Sequence, residues 1–286
     1  MRYRCIHRRR HQHSIRMMCR LLRVSRSGYY DWRGRCESAR SMRDRELTLL
    51  IRQFHLESQG VYGARKVRRD LIDIGEHCGR HRVARLMRES GLKGCPKRRF
   101  RRYKDSPPSH PVAANLVNQN FSASRIDERW ASDITFISTR QGWLFLAVVM
   151  DLYSRRIVGW AMDKRISRHL VVDAMAMALA QRDRPQLHHS DRGAQYMSDD
   201  FRDLLAKHDI QCSMSARGSC YDNAPVESFF SLLKRERIRR QSYRTREEAK
   251  ADVFDYIEVF YNRKRRHAYL GYTSPVEFEK QAVGLN

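Results

Sequence analysis

The sequence has no paired-cysteine motif and no hydrophobic stretch long enough for a membrane span. Its seven cysteines are an odd number and none forms a CxxC pair, which argues against a disulfide framework or a zinc site and favours reduced thiols. The longest apolar run, Trp143 to Met150, falls far short of the roughly 20 residues that cross a bilayer. The N-terminus has no apolar stretch behind its arginines and is not a secretory signal. We expect a cytoplasmic protein without a membrane partner.

Acidic residues are scarce in the first part of the chain. Residues 1–110 contain 30 Lys and Arg against 10 Asp and Glu, a net charge of +20, whereas residues 111–286 contain 27 and 22, a net charge of +5. A basic part joined to a nearly balanced part suggests a polyanion-binding region beside a separate globular region. A solvated, soluble surface is the alternative. A length of 286 residues suits two or three domains.

Hydrophobic periodicity predicts a helical region at residues 14–92, after a basic, His-rich tail at 1–13. We expect this tail to be mobile or, when DNA is bound, to contact phosphates. Two helices separated near Ser25, a candidate N-cap, are compatible with a helix-turn-helix. Later helices end at Gly75 and Gly91. The last of them exposes four arginines, which can donate to phosphates and guanine edges: Arg80, Arg82, Arg85 and Arg88. The alternative is the solvated face of an ordinary three-helix bundle.

The rest of the chain divides into a linker, a core and an extension. Residues 93–114 are basic and contain prolines, which disfavour regular structure. Residues 115–240 begin with three strands, the second an apolar run typical of a sheet covered on both faces, and continue with alternating helices and strands. Residues 241–286 form a helical extension that starts near Thr245. The basic run 263–267 is interpreted as structural closure with a basic rim.

Three acidic residues stand in short polar motifs within this core. Asp133 lies in Trp130-Ala131-Ser132-Asp133-Ile134-Thr135, Asp191 in His189-Ser190-Asp191-Arg192-Gly193, and Glu227 in Asp222-Asn223-Ala224-Pro225-Val226-Glu227-Ser228-Phe229. Carboxylate oxygens are hard ligands that suit Mg²⁺ or Mn²⁺. Clustered without metal, they would repel one another and raise at least one pKa. Taken singly, each acid has an alternative reading as a surface charge, and Asp191 as part of a turn.

The motif with Glu227 is predicted to begin a helix. Asp222 is a candidate N-cap, and Pro225 is tolerated in a first turn. Glu227, Ser231 and Lys234 are spaced to form one polar edge of that helix, with apolar residues on its other side. Lys234 can therefore reach a substrate backbone or, alternatively, be a surface lysine.

The three motifs together resemble, in order and spacing, the signature blocks of the insertion-sequence DDE transposase family with a retroviral-integrase-like catalytic core. Thirty-five residues separate Asp191 from Glu227. The resemblance runs from about residue 15 to the C-terminus, where Tyr261-Asn262-Arg263 and Leu270-Gly271-Tyr272 are similar to the family's last block. It implies a second-frame (OrfB-type) protein with an α/β ribonuclease-H-like core, a mixed five-stranded sheet with helices, behind a mainly α region.

The resemblance also implies an activity and its residues. The implied reaction is metal-dependent cleavage at the ends of a mobile element, followed by strand transfer, with Asp133, Asp191 and Glu227 as catalytic residues and metal ligands. Two Mg²⁺ or Mn²⁺ ions are implied, with Asp133 between them. Lys234 and Asn223 are expected to contact DNA.

The expected partners are the double-stranded DNA of element ends and target, a second copy of the chain on DNA, and an upstream-frame DNA-binding protein or fusion. The expected location is the bacterial cytoplasm, at the nucleoid when bound. Two other functions stay open. One is an inactive DNA-binding regulator or remnant, and the other is a structure-specific nuclease. His188 and His189 can orient ligands or serve the fold.

Overall fold

The computed structural model describes residues 2–96, 120–215 and 223–284. The chain forms two compact units, one up to Arg52 and one from Gln53 to the C-terminus. The boundary lies inside one long helix and within the predicted region 14–92, so that division into domains stays a prediction. Most of the predicted linker at 93–114 lies outside the described residues, and the candidate cap Asp222 lies outside them as well. No helix among the described residues is long and apolar enough to cross a membrane.

The first unit is helical from its first described residue. Helices α1 (Arg2–Arg9), α2 (Ile15–Leu21) and α3 (Arg26–Gly34) precede the long helix α4 (Ala39–Glu57). Ser25 caps α3, because its side chain accepts a hydrogen bond from the Gly28 amide. The prediction of a mobile tail is wrong for residues 2–9, because they form α1 and Ile6 is fully buried in an apolar cluster with Met18 and Tyr29. Tyr3 and Ile6 among mostly basic residues are too few to show a helical period, so the sequence did not predict this helix.

The second unit contains the sheet. Its elements, in chain order, are α5 (Ala64–Asp73), α6 (Arg80–Glu89), β1 (Arg129–Thr139), β2 (Gly142–Asp151), β3 (Ile157–Asp163), α7 (Arg168–Gln181), β4 (Leu187–Ser190), α8 (Asp199–Lys207), β5 (Gln211–Met214), α9 (Ala224–Glu236), a 3₁₀ turn (Ile238–Arg240), α10 (Arg246–Phe254), a π-helical segment (Asp255–Tyr261) and α11 (Pro275–Ala282). The predicted strands and helices are confirmed within a few residues, except that the helix from Thr245 widens into the π-helical segment.

The five strands lie in the order β3-β2-β1-β4-β5. Strands β1, β2 and β3 form an antiparallel meander, whereas β4 and β5 run parallel to β1. Helices α7 and α8 cover one face and share its core with Trp130, Val149 and Phe201. This mixed five-stranded sheet confirms the ribonuclease-H-like fold class. Strand β2 is buried from Leu144 to Asp151 apart from a partly exposed Phe145, which explains its continuous apolar run.

The C-terminal extension closes the sheet through polar contacts. Asn262 pairs with the backbone of Ile157 at the edge strand β3, donating from Nδ2 to the carbonyl and accepting at Oδ1 from the amide, both at 3.0 Å. Glu279 on α11 accepts from Arg182 at 2.6 Å and from Arg156 at 2.6 Å. These bonds satisfy an otherwise free strand edge and fix the last helix.

The basic run 263–267 exposes only Arg263 and Lys264, so the predicted basic rim is limited to these two side chains. Arg265 and His267 are buried, and the Arg265 guanidinium donates to both oxygens of Glu236 at 2.7 Å. Arg266 pairs with Asp70 and Asp73 on α5. Structural closure is therefore right, but three of the five side chains hold the fold. Their partners lie far away in sequence, so the local pattern looked like an exposed basic surface.

Candidate active site

The first predicted acid, Asp133, lies in the middle of β1, the central strand of the sheet. Strand β4 pairs with β1 in parallel, with Trp130 opposite His188 and Ala131 opposite His189. Continuing that register by two residues places Asp133 opposite Asp191, on the same side of the sheet. The half-buried Asp133 carboxylate accepts a hydrogen bond from the Ile134 amide at 2.7 Å.

The second acid, Asp191, directly follows the C-terminal end of β4 and is exposed. Its Oδ1 atom accepts from the Gly193 amide at 2.9 Å. A Cβ atom at Gly193 would lie 3.0 Å from that oxygen and 2.9 Å from the Gln195 side chain. Arg192 donates to the Ser215 carbonyl at 2.6 Å and ties this turn to the end of β5. The Asp-Arg-Gly turn thus orients the acid rather than excluding a functional role.

The third acid, Glu227, is exposed in the first turn of α9. That helix packs on β1 through Val226, Phe229 and other buried residues. Asn223 precedes the helix. Its side-chain nitrogen Nδ2 donates a hydrogen bond of 2.9 Å to the backbone carbonyl of Ser132, the residue before Asp133. Asn223 is only 5% exposed, so the geometry gives it a positioning role. Its contact with DNA stays a prediction.

Repulsion among these acids appears in the electrostatics of Asp133. Burial, and after it the charge of Asp191, raises the pKa of Asp133 to about 7. Glu227 adds to the rise, whereas the Ile134 amide and Lys234 oppose it. Desolvation also raises the pKa of Glu227. Asp191 and Glu227 are therefore both near enough to Asp133 to disfavour its charge at neutral pH.

The acids are not yet arranged as a closed ligand set. Within residues 2–96, 120–215 and 223–284, no three His, Cys, Asp or Glu side chains lie together as a group that could hold a metal ion. Asp133 and Asp191 instead turn oxygens to neighbouring backbone amides. The donor chemistry still fits a hard divalent cation, because the three side chains offer carboxylate oxygens alone and a cation would relieve their repulsion.

The predicted DNA-contacting side chains fall in two places. Lys234 lies two turns after Glu227, with Nζ 4.6 Å from the centre of the Phe136 ring. Desolvation, and after it Arg239, lowers the pKa of Lys234, while Asp133 opposes that shift. The four arginines predicted for the third helix lie on α6. Arg80 and Arg88 are exposed, whereas Arg82 and Arg85 are partly buried and Arg85 pairs with Glu89 at 3.0 Å. Their contact with DNA stays a prediction.

Buried polar side chains behind the acids support the end of β4. His188 and His189 are fully buried. His188 Nε2 bonds Ser132 Oγ at 2.7 Å, and His189 bonds Ser213 at 3.0 Å and Ser215 at 3.2 Å. Burial lowers the pKa of His188 to about 3. Both histidines therefore have structural roles, and His188 is neutral at physiological pH.

Tyr196 was not predicted at this site. It is fully buried, its hydroxyl has no partner among the described residues, and the charges of Asp133 and Asp191 add to burial in raising its pKa. The signal in the sequence that could have indicated Tyr196 is its position close after the Asp191 motif, three residues beyond Gly193.

Three family models match the chain. The model described as "Integrase core domain" matches residues 123–220 and contains the first two acids. A second integrase core domain model matches residues 227–283, beginning at the third acid. The model described as "HTH-like domain" matches residues 42–100 and contains α5 and α6.

Near-full-length relatives agree with these matches. The chain is 42% identical over 291 residues to the transposase InsF for insertion sequence IS3A of Escherichia coli (strain K12), covering 98% of this chain and 99% of the relative. It is 41% identical over 266 residues to the insertion element IS600 uncharacterized 31 kDa protein of Shigella sonnei, covering 92% and 98%. Among solved structures, the HTLV-2 integrase catalytic core domain in complex with magnesium (trimeric form) covers 55% of this chain and 99% of its own, with a TM-score of 0.43 and 14% identity.

Proposed function

Because the chain belongs to the insertion-sequence transposase family with an integrase core domain, we propose that it catalyses DNA transposition. In the first step, water attacks a phosphodiester at the element end, the bond from phosphorus to the 3′ oxygen breaks, and a free 3′-hydroxyl results. In the second step, that hydroxyl attacks a phosphodiester of the target, and the target strand's 3′ oxygen leaves.

One observation supports this proposal most directly: the parallel register of β1 and β4 places Asp191 opposite Asp133, and the charges of Asp191 and Glu227 both raise the pKa of Asp133. A half-buried carboxylate that shares its surroundings with two more acids has its charge disfavoured by the fold alone. Other acids of this unit, such as Glu236 and Glu279, have arginine partners. At Asp133 only the Ile134 amide and Lys234 favour the charged form, which supports a binding role for a cation.

Asp133, Asp191 and Glu227 would be the ligands that hold Mg²⁺ or Mn²⁺, two ions per site. When bound, such ions neutralise charge on the phosphate and favour a deprotonated nucleophile. The protein orients the acids through the Ile134 and Gly193 amides and through the Asn223 contact to β1. Lys234 is proposed to hold the DNA backbone beside Asp133.

The proposed partner is double-stranded DNA, from element ends and from target. The HTH-like match and the +20 charge of residues 1–110 support binding there, with the α6 arginines as candidate contacts. Binding should weaken steeply with salt, because each neutralised phosphate releases counterions. Assembly of several copies on DNA, a contribution from an upstream-frame protein, and action at the bacterial nucleoid belong to the same proposal.

The test is Mg²⁺- or Mn²⁺-dependent joining of a precut duplex to a plasmid, the duplex being taken from DNA that flanks the coding sequence. Glu227→Gln should abolish joined product and leave DNA binding intact. Glu277→Gln is the matched control, since Glu277 is also exposed in the first turn of a helix that begins near a proline.

Three outcomes would contradict the proposal. Equal joining by the Glu227→Gln protein would remove the acid from the mechanism. Cleavage without joined product would favour a structure-specific nuclease. Binding without cleavage, even after the upstream-frame protein is added, would favour an inactive regulator or remnant.

A further inference from the structure

An exposed aromatic pair stands on the first two strands of the sheet. Phe136 and Trp143 are 54% and 52% exposed, although they lie on β1 and β2 of a sheet that is otherwise largely buried. Their ring centres are 5.1 Å apart at an interplanar angle of 85°, an edge-to-face contact. Neither ring belongs to the apolar core of the sheet. The contact stabilises the strand pair, and the exposed half of each ring remains accessible to a ligand.

The pair is held in place by the turn between the two strands. Arg246 donates to the Trp143 carbonyl at 3.0 Å and to the Gln141 carbonyl at 2.7 Å. Gly142 adopts a φ of +107°, a conformation that side chains disfavour. The rings thus project from a backbone fixed by hydrogen bonds, which lowers the entropy lost when a ligand stacks on them.

Positive charge links the pair to the acids. Lys234 Nζ lies 4.6 Å from the Phe136 ring centre, a cation–π contact. The same ammonium interacts favourably with Asp133 and unfavourably with Arg239. Phe136 follows Asp133 by three residues along β1, which is about 10 Å of backbone at roughly 3.3 Å per residue, and this odd spacing directs the two side chains to opposite faces of the strand. Lys234 is the side chain that interacts with both. Stacked nucleotides on one strand rise about 3.4 Å each, so a DNA strand that passes Lys234 covers this length of β1 with about three nucleotides.

We propose that Phe136 and Trp143 form a stacking platform for an unpaired base of the DNA strand, within about three nucleotides of the phosphate that reacts at Asp133. Any base offers a π-face to an aromatic ring, and the neighbouring cations suit the phosphates that flank it. Opening of the duplex at the reacting end would supply such a base. This inference rests on the proposed function and adds to it a site for a nucleobase.

The size and charge of the pair favour a base over another protein. Each aromatic side chain buries roughly 150–250 Å² in full, so two half-exposed rings offer about 200 Å². A stable protein interface buries at least about 1,200 Å² in total. The neighbouring Lys234 and Arg239 would also cost desolvation in an apolar contact between two copies. A single nucleotide matches both the area and the charge.

The test compares intact end duplexes with duplexes that carry one abasic site at successive positions near the reacting phosphate. Binding of the full chain is measured without divalent metal, so that no strand is cut. We expect one position within about three nucleotides to weaken binding roughly 5- to 150-fold when its base is missing. In Phe136→Leu and Trp143→Leu proteins the ratio between intact and abasic duplexes should fall towards one, and Phe136→Trp should restore it.

A matched control separates stacking from general damage. Tyr269→Leu removes an aromatic ring that is 69% exposed with the Arg155 guanidinium 4.5 Å from its centre, and it should leave the ratio unchanged. Thermal unfolding of each variant checks the fold. The ratio itself compares two DNAs with one protein, so a partly unfolded preparation does not alter it.

Each outcome bears on the platform separately from the transposase activity. If the parental protein joins DNA but no abasic position weakens binding, the platform is refuted and the proposed function stands. A ratio that persists in both leucine variants also refutes it, as does a change in self-association without a change in the ratio. Base-dependent binding by a protein that never joins DNA would support the platform and contradict the proposed function.

Discussion

Replacing Asp133 by Asn should make the protein more stable above neutral pH while it abolishes catalysis. The carboxylate has an ordinary pKa of 3.8 and is raised to about 7, first by burial and then by Asp191. Asn is nearly isosteric, and its oxygen can still accept from the Ile134 amide. The substitution therefore removes the unfavourable charge and little else.

The size of the effect follows from linkage between folding and proton binding. Below pH 3.8 the Asp133 carboxyl is protonated in both the folded and the unfolded states, so it does not lower the free energy of unfolding. Between about pH 4 and pH 7 only the unfolded state is ionised, so stability falls by about 1.4 kcal/mol for each pH unit. Above pH 7 the penalty is constant at about 4 kcal/mol, an upper value because water reaches a half-buried carboxylate. We expect a gain of about 2–4 kcal/mol for Asp133→Asn at pH 8 and none near pH 4.

The assay is thermal or urea unfolding of the parental and variant proteins at several pH values, without divalent metal. For a unit of this size, each kcal/mol corresponds to roughly 2–4 °C in Tm, so a shift of at least about 4 °C is expected at pH 8. Asp163→Asn is the control, because Asp163 also accepts from the next residue's amide, at 2.6 Å. Destabilisation at pH 8, or an equal gain at pH 4, would refute the idea that neighbouring acids and burial disfavour this charge.

Three further results follow from the same structure. Mg²⁺ at about 100 times its Kd should stabilise the parental protein by about 2.7 kcal/mol at pH 8, measured as Tm, and should not stabilise Asp133→Asn to the same extent. Arg265→Met should cost about 3–5 kcal/mol in urea unfolding because it leaves Glu236 buried without its partner; a smaller loss in the Glu236→Gln, Arg265→Met double variant would confirm the cause, and an equal loss would contradict it. Gly159→Ala should cost about 3 kcal/mol or more, since a Cβ atom would lie 2.2 Å from the Ala174 carbonyl, and an unchanged Tm would show that α7 moves aside.

Much of the core could be predicted because its signals are local. The apolar run of β2 reflects burial on both faces of a strand, and glycines with positive φ at 75 and 91 follow the ends of α5 and α6. The three acids could be proposed as site residues because each lies in a short motif at fixed spacing. Family order then supplied what no single motif contains.

The features that were missed depend on contacts between distant parts of the chain. Arg265 looks like part of an exposed basic run until Glu236, 29 residues earlier, is placed beside it. Ile6 has only Tyr3 beside it at helical spacing within α1, and its buried partners Met18 and Tyr29 come from two later helices. Trp143 continues the apolar run of β2 and reads as core, although half of it is exposed. Periodicity predicts which residues lie on the same face of a helix or strand. It does not predict which other part of the chain, if any, covers that face.

The way this unit treats its buried acids distinguishes structure from function. Arginine contacts lower the pKa of Glu236 and of Glu279, so both remain charged and hold the extension to the sheet. Asp151 is fully buried as well, but Ser154 donates to it twice, at 2.6 and 2.9 Å. Asp133 accepts a hydrogen bond from the Ile134 amide, while burial and the charges of two further acids raise its pKa. Burial, Asp127 and Glu279 raise the pKa of Asp151 as well, so Asp133 is not alone in having its charge disfavoured. What Asp133 lacks is an arginine partner of the kind that Glu236 and Glu279 have, and a divalent cation can supply that missing charge. The stability gained by losing Asp133 and the activity lost with it are therefore two measurements of one electrostatic arrangement.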